Sequence, residues 1–205
     1  MTRVSRPLPS GPRHLDELAG PLADLRRDAE RLERWGRRIA SLLAEGARVL
    51  AAGNGGSAAQ ASHLTSELVG RYRDDRPPCS AIALAAEPAA VTAIANDYGA
   101  EEVFARQVRG HGRADDVLVA LSTSGRSFNV LAAVEAAHDR GMLTLALSGP
   151  PGNPLADRCH DALCVASPHT ATIQEIHLIA IHLLCAAVDQ TLIARAAPAA
   201  GEALV

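Results

Sequence analysis

The chain has 205 residues, of which 48% are hydrophobic, 21% charged and 2% aromatic, with a net charge of −3 at pH 7. That length suits one domain with a substantial core, and the lack of a basic field or of aromatic platforms argues against nucleic acid as a partner. No apolar run approaches the roughly 20 residues of a membrane span, and Met1 to Pro12 lacks the apolar stretch of a secretory signal. Cys79, Cys159, Cys164 and Cys185 show no Cys-x-x-Cys spacing, and read as small buried hydrophobes of a reducing cytoplasm.

Residues 1–12, with three prolines, read as a disordered arm. From His14 to Ala44, Leu15, Leu18, Leu22, Leu25, Leu32, Trp35, Ile39, Leu42 and Leu43 recur at helical spacing, which predicts one long helix or two. So much apolar surface outside a sheet points to packing against another subunit. Ala47–Ala52 is a short apolar strand. It runs into Gly53-Asn54-Gly55-Gly56-Ser57, and Ser57 is placed to cap a helix over Ala58–Val69. Strand, glycine turn and helix N-terminus together make an anion site. On that helix His63 and Glu67 share one face, where they can hold a divalent metal or form a plain surface contact.

Gly70 to Pro78 is a charged loop. Its Arg71 and Arg73 are either solvated or within reach of a phosphate. Ala81–Leu84 predicts a second strand, Pro88–Ile94 a helix, and Asn96 and Asp97 a turn or C-cap, with Asp97 alternatively facing a polar ligand. Glu102–Val108 predicts another helix. Val117–Leu121 is a third strand that runs into Ser122-Thr123-Ser124-Gly125-Arg126-Ser127 and then a helix over Phe128–His138. Four hydroxyls beside free N–H groups exceed what capping needs and suit a phosphate. The loop matches neither the mononucleotide nor the dinucleotide glycine pattern.

Met142–Leu147 and Asp161–Ala166 are the fourth and fifth strands, with a helical turn over Leu155–Arg158 between them. The last helix starts at Thr170 or Thr172 and runs to about Ala196, apolar on most faces and therefore buried. Gln174 and His182 lie two turns apart, rotated by roughly 80°, so both can reach one pocket. His177 reads as structural or exposed. The alternation of strands and helices predicts an α/β fold: a three-layer αβα sandwich around a five-stranded parallel sheet, with ligands at the strands' C-terminal ends.

Gly-Asn-Gly-Gly-Ser (53–57), His63-x-x-x-Glu67, Asn96-Asp97, Ser-Thr-Ser-Gly-x-Ser (122–127) and Ile-Gln-Glu-Ile-His (173–177) with His182 resemble, in this order, the phosphoheptose isomerases of the sugar isomerase (SIS) superfamily. The resemblance covers about residues 14–196. It implies a single SIS domain over 13–196 with an N-terminal helical extension, a short tail over 197–205, and a cytoplasmic homotetramer with active sites at subunit interfaces. It implies isomerisation of sedoheptulose 7-phosphate to D-glycero-heptose 7-phosphate through an enediol. By matching positions, Ser122, Thr123, Ser124 and Ser127 would bind phosphate, Asn54, Gly55, Gly56 and Ser57 would frame the sugar, and Asn96 and Asp97 would contact its hydroxyls. His63, Glu67, Gln174 and His182 would hold one Zn2+ per active site. Glu67 would be the base and His182 the acid of the proton transfer. Ala171, Thr172 and Arg126 depart from the family's usual residues at positions that bear on the choice of sugar. The alternative is a non-catalytic SIS protein, similar to a bacterial replication-initiation factor, that binds a sugar phosphate or a protein partner. The matching carboxylate, absent there, is present here as Glu67.

Overall fold

A computed structural model of the chain describes residues 11–196. Most of the expected arm, and the 197–205 tail, lie outside the described residues, while Gly11 and Pro12 already belong to the first helix.

The leucine spacing produces one helix, α1 (Gly11–Ala44), even though Pro21 falls inside it and removes a backbone donor. It is followed by β1 (Val49–Ala52), α2 (Gly56–Val69), β2 (Ala81–Ala83), α3 (Pro88–Tyr98) and α4 (Glu102–His111). Then come β3 (Val117–Ser122), α5 (Phe128–Asp139), β4 (Leu143–Ser148), α6 (Pro154–Arg158), β5 (Asp161–Cys164) and α7 (Thr170–Ala196). All five strands are parallel, in the order β2-β1-β3-β4-β5.

Strand periodicity divides the core. Val49, Ala51, Val117, Val119, Leu121, Leu145 and Leu147 face α1, α2 and α7, while Leu50, Ala52, Leu118, Ala120 and Ala146 face α3 to α6. The result is the expected three-layer sandwich. Strand order reverses between β1 and β3, so the loops after those two strands flank the crevice where ligands of such sheets bind.

Three local expectations are corrected. Ser57 is not a cap: α2 starts two residues earlier than expected, with Gly55 (φ 54°) at the N-cap, and Ser57 is buried inside its first turn. Asn96 and Asp97 are not a turn. The helix continues through them to Tyr98, and Gly99 ends it at φ 94°. By length and composition α7 is able to span a bilayer, contrary to the expectation from the sequence. Its apolar residues instead fill the core against α1, where Gly36 lets Ala187 come so close that a Cβ there would sit 2.5 Å from it.

Candidate functional site

The loop after β3 is folded on its own hydroxyls. Ser122 Oγ lies 3.0 Å from Ser127 Oγ and 3.4 Å from Ser124 Oγ, and the Arg126 N–H donates to Ser124 Oγ at 3.2 Å. Ser127 is the N-cap of α5 but makes no side-chain cap bond, so the first amides of that helix stay free for an anion. Gly125 holds φ 62°, and a side chain there would run into Asn153, which is itself the cap of α6 and donates to the Pro150 carbonyl at 2.8 Å. The loop after β1 is fastened to α5 by a reciprocal amide pair, Asn54 Nδ2 to Asn129 Oδ1 at 2.8 Å and Asn129 Nδ2 to Asn54 Oδ1 at 2.9 Å. The two glycine-containing loops therefore form one wall. Thr123 belongs to it, and Gly149 closes in on its carbonyl.

From this wall α2 and α7 run side by side in the same direction. Gln174 lies at the head of α2, where a side chain on Gly56 would collide with its carboxamide and where Gln60 donates to its carbonyl. His63 is seven residues, roughly 10 Å, further along the helix. Its Nε2 lies 3.0 Å from His182 Nε2 and 3.4 Å from Glu67 Oε1. Two nitrogens on one tetrahedral ion with bonds of about 2.0–2.1 Å stand about 3.4 Å apart, so the two imidazoles, in direct contact at 3.0 Å, would have to part by a few tenths of an ångström to share one. His63 is the link among the three side chains. Among the described residues, no three His, Cys, Asp or Glu side chains come together closely enough, as they stand, to hold a metal ion. Gln174 turns towards Gly56, and no hydrogen bond joins its carboxamide to the three.

Tyr72, which the spacing of motifs had not singled out, stacks on His182 with ring centroids 5.4 Å apart at 30°. Glu67 also lies close enough to Cys185 to matter: burial first, and this carboxylate second, push the Cys185 thiol up to about 12. A thiol so raised is an inert core group. His177 is structural, as the alternatives allowed. It is fully buried and its Nε2 donates to the Ser148 carbonyl at 3.1 Å. Burial lowers its pKa to about 4. Asn96 and Asp97 are exposed, and the Asn96 amide donates to Asp97 Oδ1 at 2.8 Å.

The model of the SIS domain matches residues 14–149. A phosphoheptose isomerase of Streptomyces coelicolor is 60% identical over 179 residues, covering 87% of this chain and 78% of that protein. The solved phosphoheptose isomerase of Francisella tularensis superposes with a TM-score of 0.82 at 37% identity, over 87% of this chain and 95% of that one. The Neisseria gonorrhoeae phosphoheptose isomerase gives 0.80 at 40% identity, over 87% and 96%.

Proposed function

Because the chain belongs to the phosphoheptose isomerases of the SIS superfamily, we propose that Glu67 and His182 carry out its isomerisation of sedoheptulose 7-phosphate to D-glycero-heptose 7-phosphate. The reaction moves a proton between adjacent carbons through an enediol. It needs a base at carbon and an acid at the carbonyl oxygen. Glu67 takes the carbon-bound proton, and His182 supplies one to the oxygen. The reacting carbons and the phosphate stand at opposite ends of the seven-carbon chain. The hydroxyl-lined loop at 122–127 holds the phosphate, and Asn54 to Ser57 line the path of the sugar towards the imidazoles further along α2.

The observation that carries this reading is that His63 Nε2 meets both His182 Nε2, at 3.0 Å, and Glu67 Oε1, at 3.4 Å, and so gathers the acid and the base from two helices. A zinc ion held by His63, Glu67, His182 and Gln174 would polarise the carbonyl and its neighbouring hydroxyl. Gln174 joins that set only by turning away from Gly56. Asn96 and Asp97, exposed at the end of α3, would contact the sugar's hydroxyls. A homotetramer with shared sites accounts for the exposure of Leu15, Leu22, Leu178, Leu183 and Ile193 on α1 and α7. A sugar phosphate substrate and four free thiols, of which Cys185 is buried and Cys79, Cys159 and Cys164 are only partly so, suit a cytoplasmic enzyme.

The test is incubation with sedoheptulose 7-phosphate, following heptose 7-phosphate before and after chelation and again after zinc is restored. Turnover that chelation removes and zinc returns supports the whole reading. Turnover indifferent to chelation removes the metal from it. No turnover in the zinc-loaded protein overturns the substrate assignment.

A further inference from the structure

The loop after α2 buries a charge that the proton transfer does not use. The Arg76 side chain is 1% exposed and its Nε donates to Asp189 Oδ1 at 2.7 Å. The rest of the guanidinium is spent on backbone. Nη2 donates to the Glu67 carbonyl at 2.8 Å, and Nη1 to the carbonyls of Leu68 at 2.9 Å, Pro77 at 3.0 Å and Gly70 at 3.3 Å. Glu67, Leu68 and Gly70 stand at the end of α2, where carbonyls lack partners within the helix. Asp189 lies seven residues, two turns, beyond His182 on the same side of α7. One planar fork therefore ties the turn that bears Glu67 to the helix that bears His182, and Tyr72 of the same loop lies against the His182 ring.

Stability alone accounts poorly for this arrangement. Asp189 Oδ2 is buried without a partner. An apolar pair of similar volume commonly holds two helices at least as well as a buried ion pair. What an apolar pair does not supply is a fixed direction for the last carbonyls of α2. We propose that the Arg76–Asp189 pair is a positioning device, which locks the end of α2 against α7 and so sets the relation of Glu67 to His182 during turnover. The inference rests on the acid–base reading given above.

The experiment compares Arg76→Met/Asp189→Leu, Arg76→Lys and Glu67→Gln with the parent, each loaded with zinc, for kcat and KM on sedoheptulose 7-phosphate and for thermal midpoint. The double variant removes both charges, so it avoids the orphaned charge that either single neutral replacement would leave. Arg76→Lys keeps the charge but not the fork. The expected result is a kcat lower by roughly ten- to a hundredfold in the double variant, at a KM close to the parent's, in a protein that still folds but melts lower because four carbonyls lose their donor, with Arg76→Lys in between. A folded double variant with the parent's kcat overturns the proposal, as does a loss in both Arg76 variants no larger than their loss of folded protein. The two readings fail separately. Parental turnover by Glu67→Gln sinks the acid–base assignment, whereas an inactive Glu67→Gln beside fully active Arg76 variants sinks the positioning role alone.

Discussion

His63 and His182 point their Nε2 atoms at each other across 3.0 Å, from helices 119 residues apart in the chain. Two neutral imidazoles meet in this way only if one nitrogen carries the proton and the other offers its lone pair. Glu67 Oε1, 3.4 Å from His63 Nε2, adds a negative charge beside them. A divalent cation takes the lone pairs of both nitrogens, so the shared proton shifts to Nδ1 of its ring, and any further proton that either imidazole carries is released. Zinc binding by the purified protein is therefore expected to release protons and to weaken as pH falls. In His63→Ala the loss of zinc affinity should exceed the roughly 10–100-fold that outer-shell partners are worth. Calorimetric titration in buffers of different ionisation enthalpy reads both effects. Unchanged zinc affinity in the variant would remove His63 from the ligand set.

Glu67→Gln keeps the shape of the side chain and removes its basicity. Loss of a general base typically costs roughly 10²–10⁴-fold in kcat. The phosphate cradle lies in another loop, so the affinity for a sugar phosphate should stay close to the parent's. Turnover assays and equilibrium binding on the same preparation separate the two. A variant that loses binding along with turnover would mean that Glu67 holds the sugar and does not move its proton.

The fold and both polar loops were legible in the sequence because each is written locally. An apolar run, a glycine or hydroxyl cluster and a helix start follow one another at β1 and again at β3. The errors are local in the same way. Ser57 looked like a cap because it precedes an apolar helix, but Gly55 turns the chain first and leaves Ser57 inside. The contacts that fasten the site were not legible. Asn54 pairs with Asn129 over 75 residues and Arg76 with Asp189 over 113, and no spacing rule connects residues so distant. Arg76 and Tyr72 lie in a charged stretch that reads as a solvated loop until α7 is packed beside it.

The serines of the β3 loop are expected to act on binding and not on chemistry. A hydrogen bond to a charged partner contributes about 1.5–3 kcal/mol, so Ser124→Ala or Ser127→Ala should raise KM by roughly ten- to a hundredfold at nearly constant kcat. Ser127 is the more informative, since its hydroxyl touches Ser122 and makes no cap bond that its loss would break. Gly125→Ala should be worse than either, because its φ of 62° disfavours a side chain and Asn153 occupies the space. Steady-state kinetics with sedoheptulose 7-phosphate decide this. A fall in kcat at constant KM would move the serines from binding to catalysis.

His177 ties the acid stability of the fold to a residue outside the chemistry. Its ring is buried against the Ser148 carbonyl, with Nδ1 lacking a partner, and burial lowers its pKa from 6.5 to about 4. The unfolded chain binds this proton near pH 6.5, and the folded chain only near 4. The resulting stabilisation is therefore fully present above about 6.5 and is lost as pH falls towards 4. Its size is about 3 kcal/mol. His177→Gln keeps a donor for Ser148 but does not titrate in this window. Urea unfolding at pH 7.5 and at pH 4.5 should show a large loss of stability in the parent and a smaller one in the variant. Other groups titrate in the same range, so the difference between the two proteins is the quantity to read. Equal losses in both would mean that the buried ring is not what acid attacks.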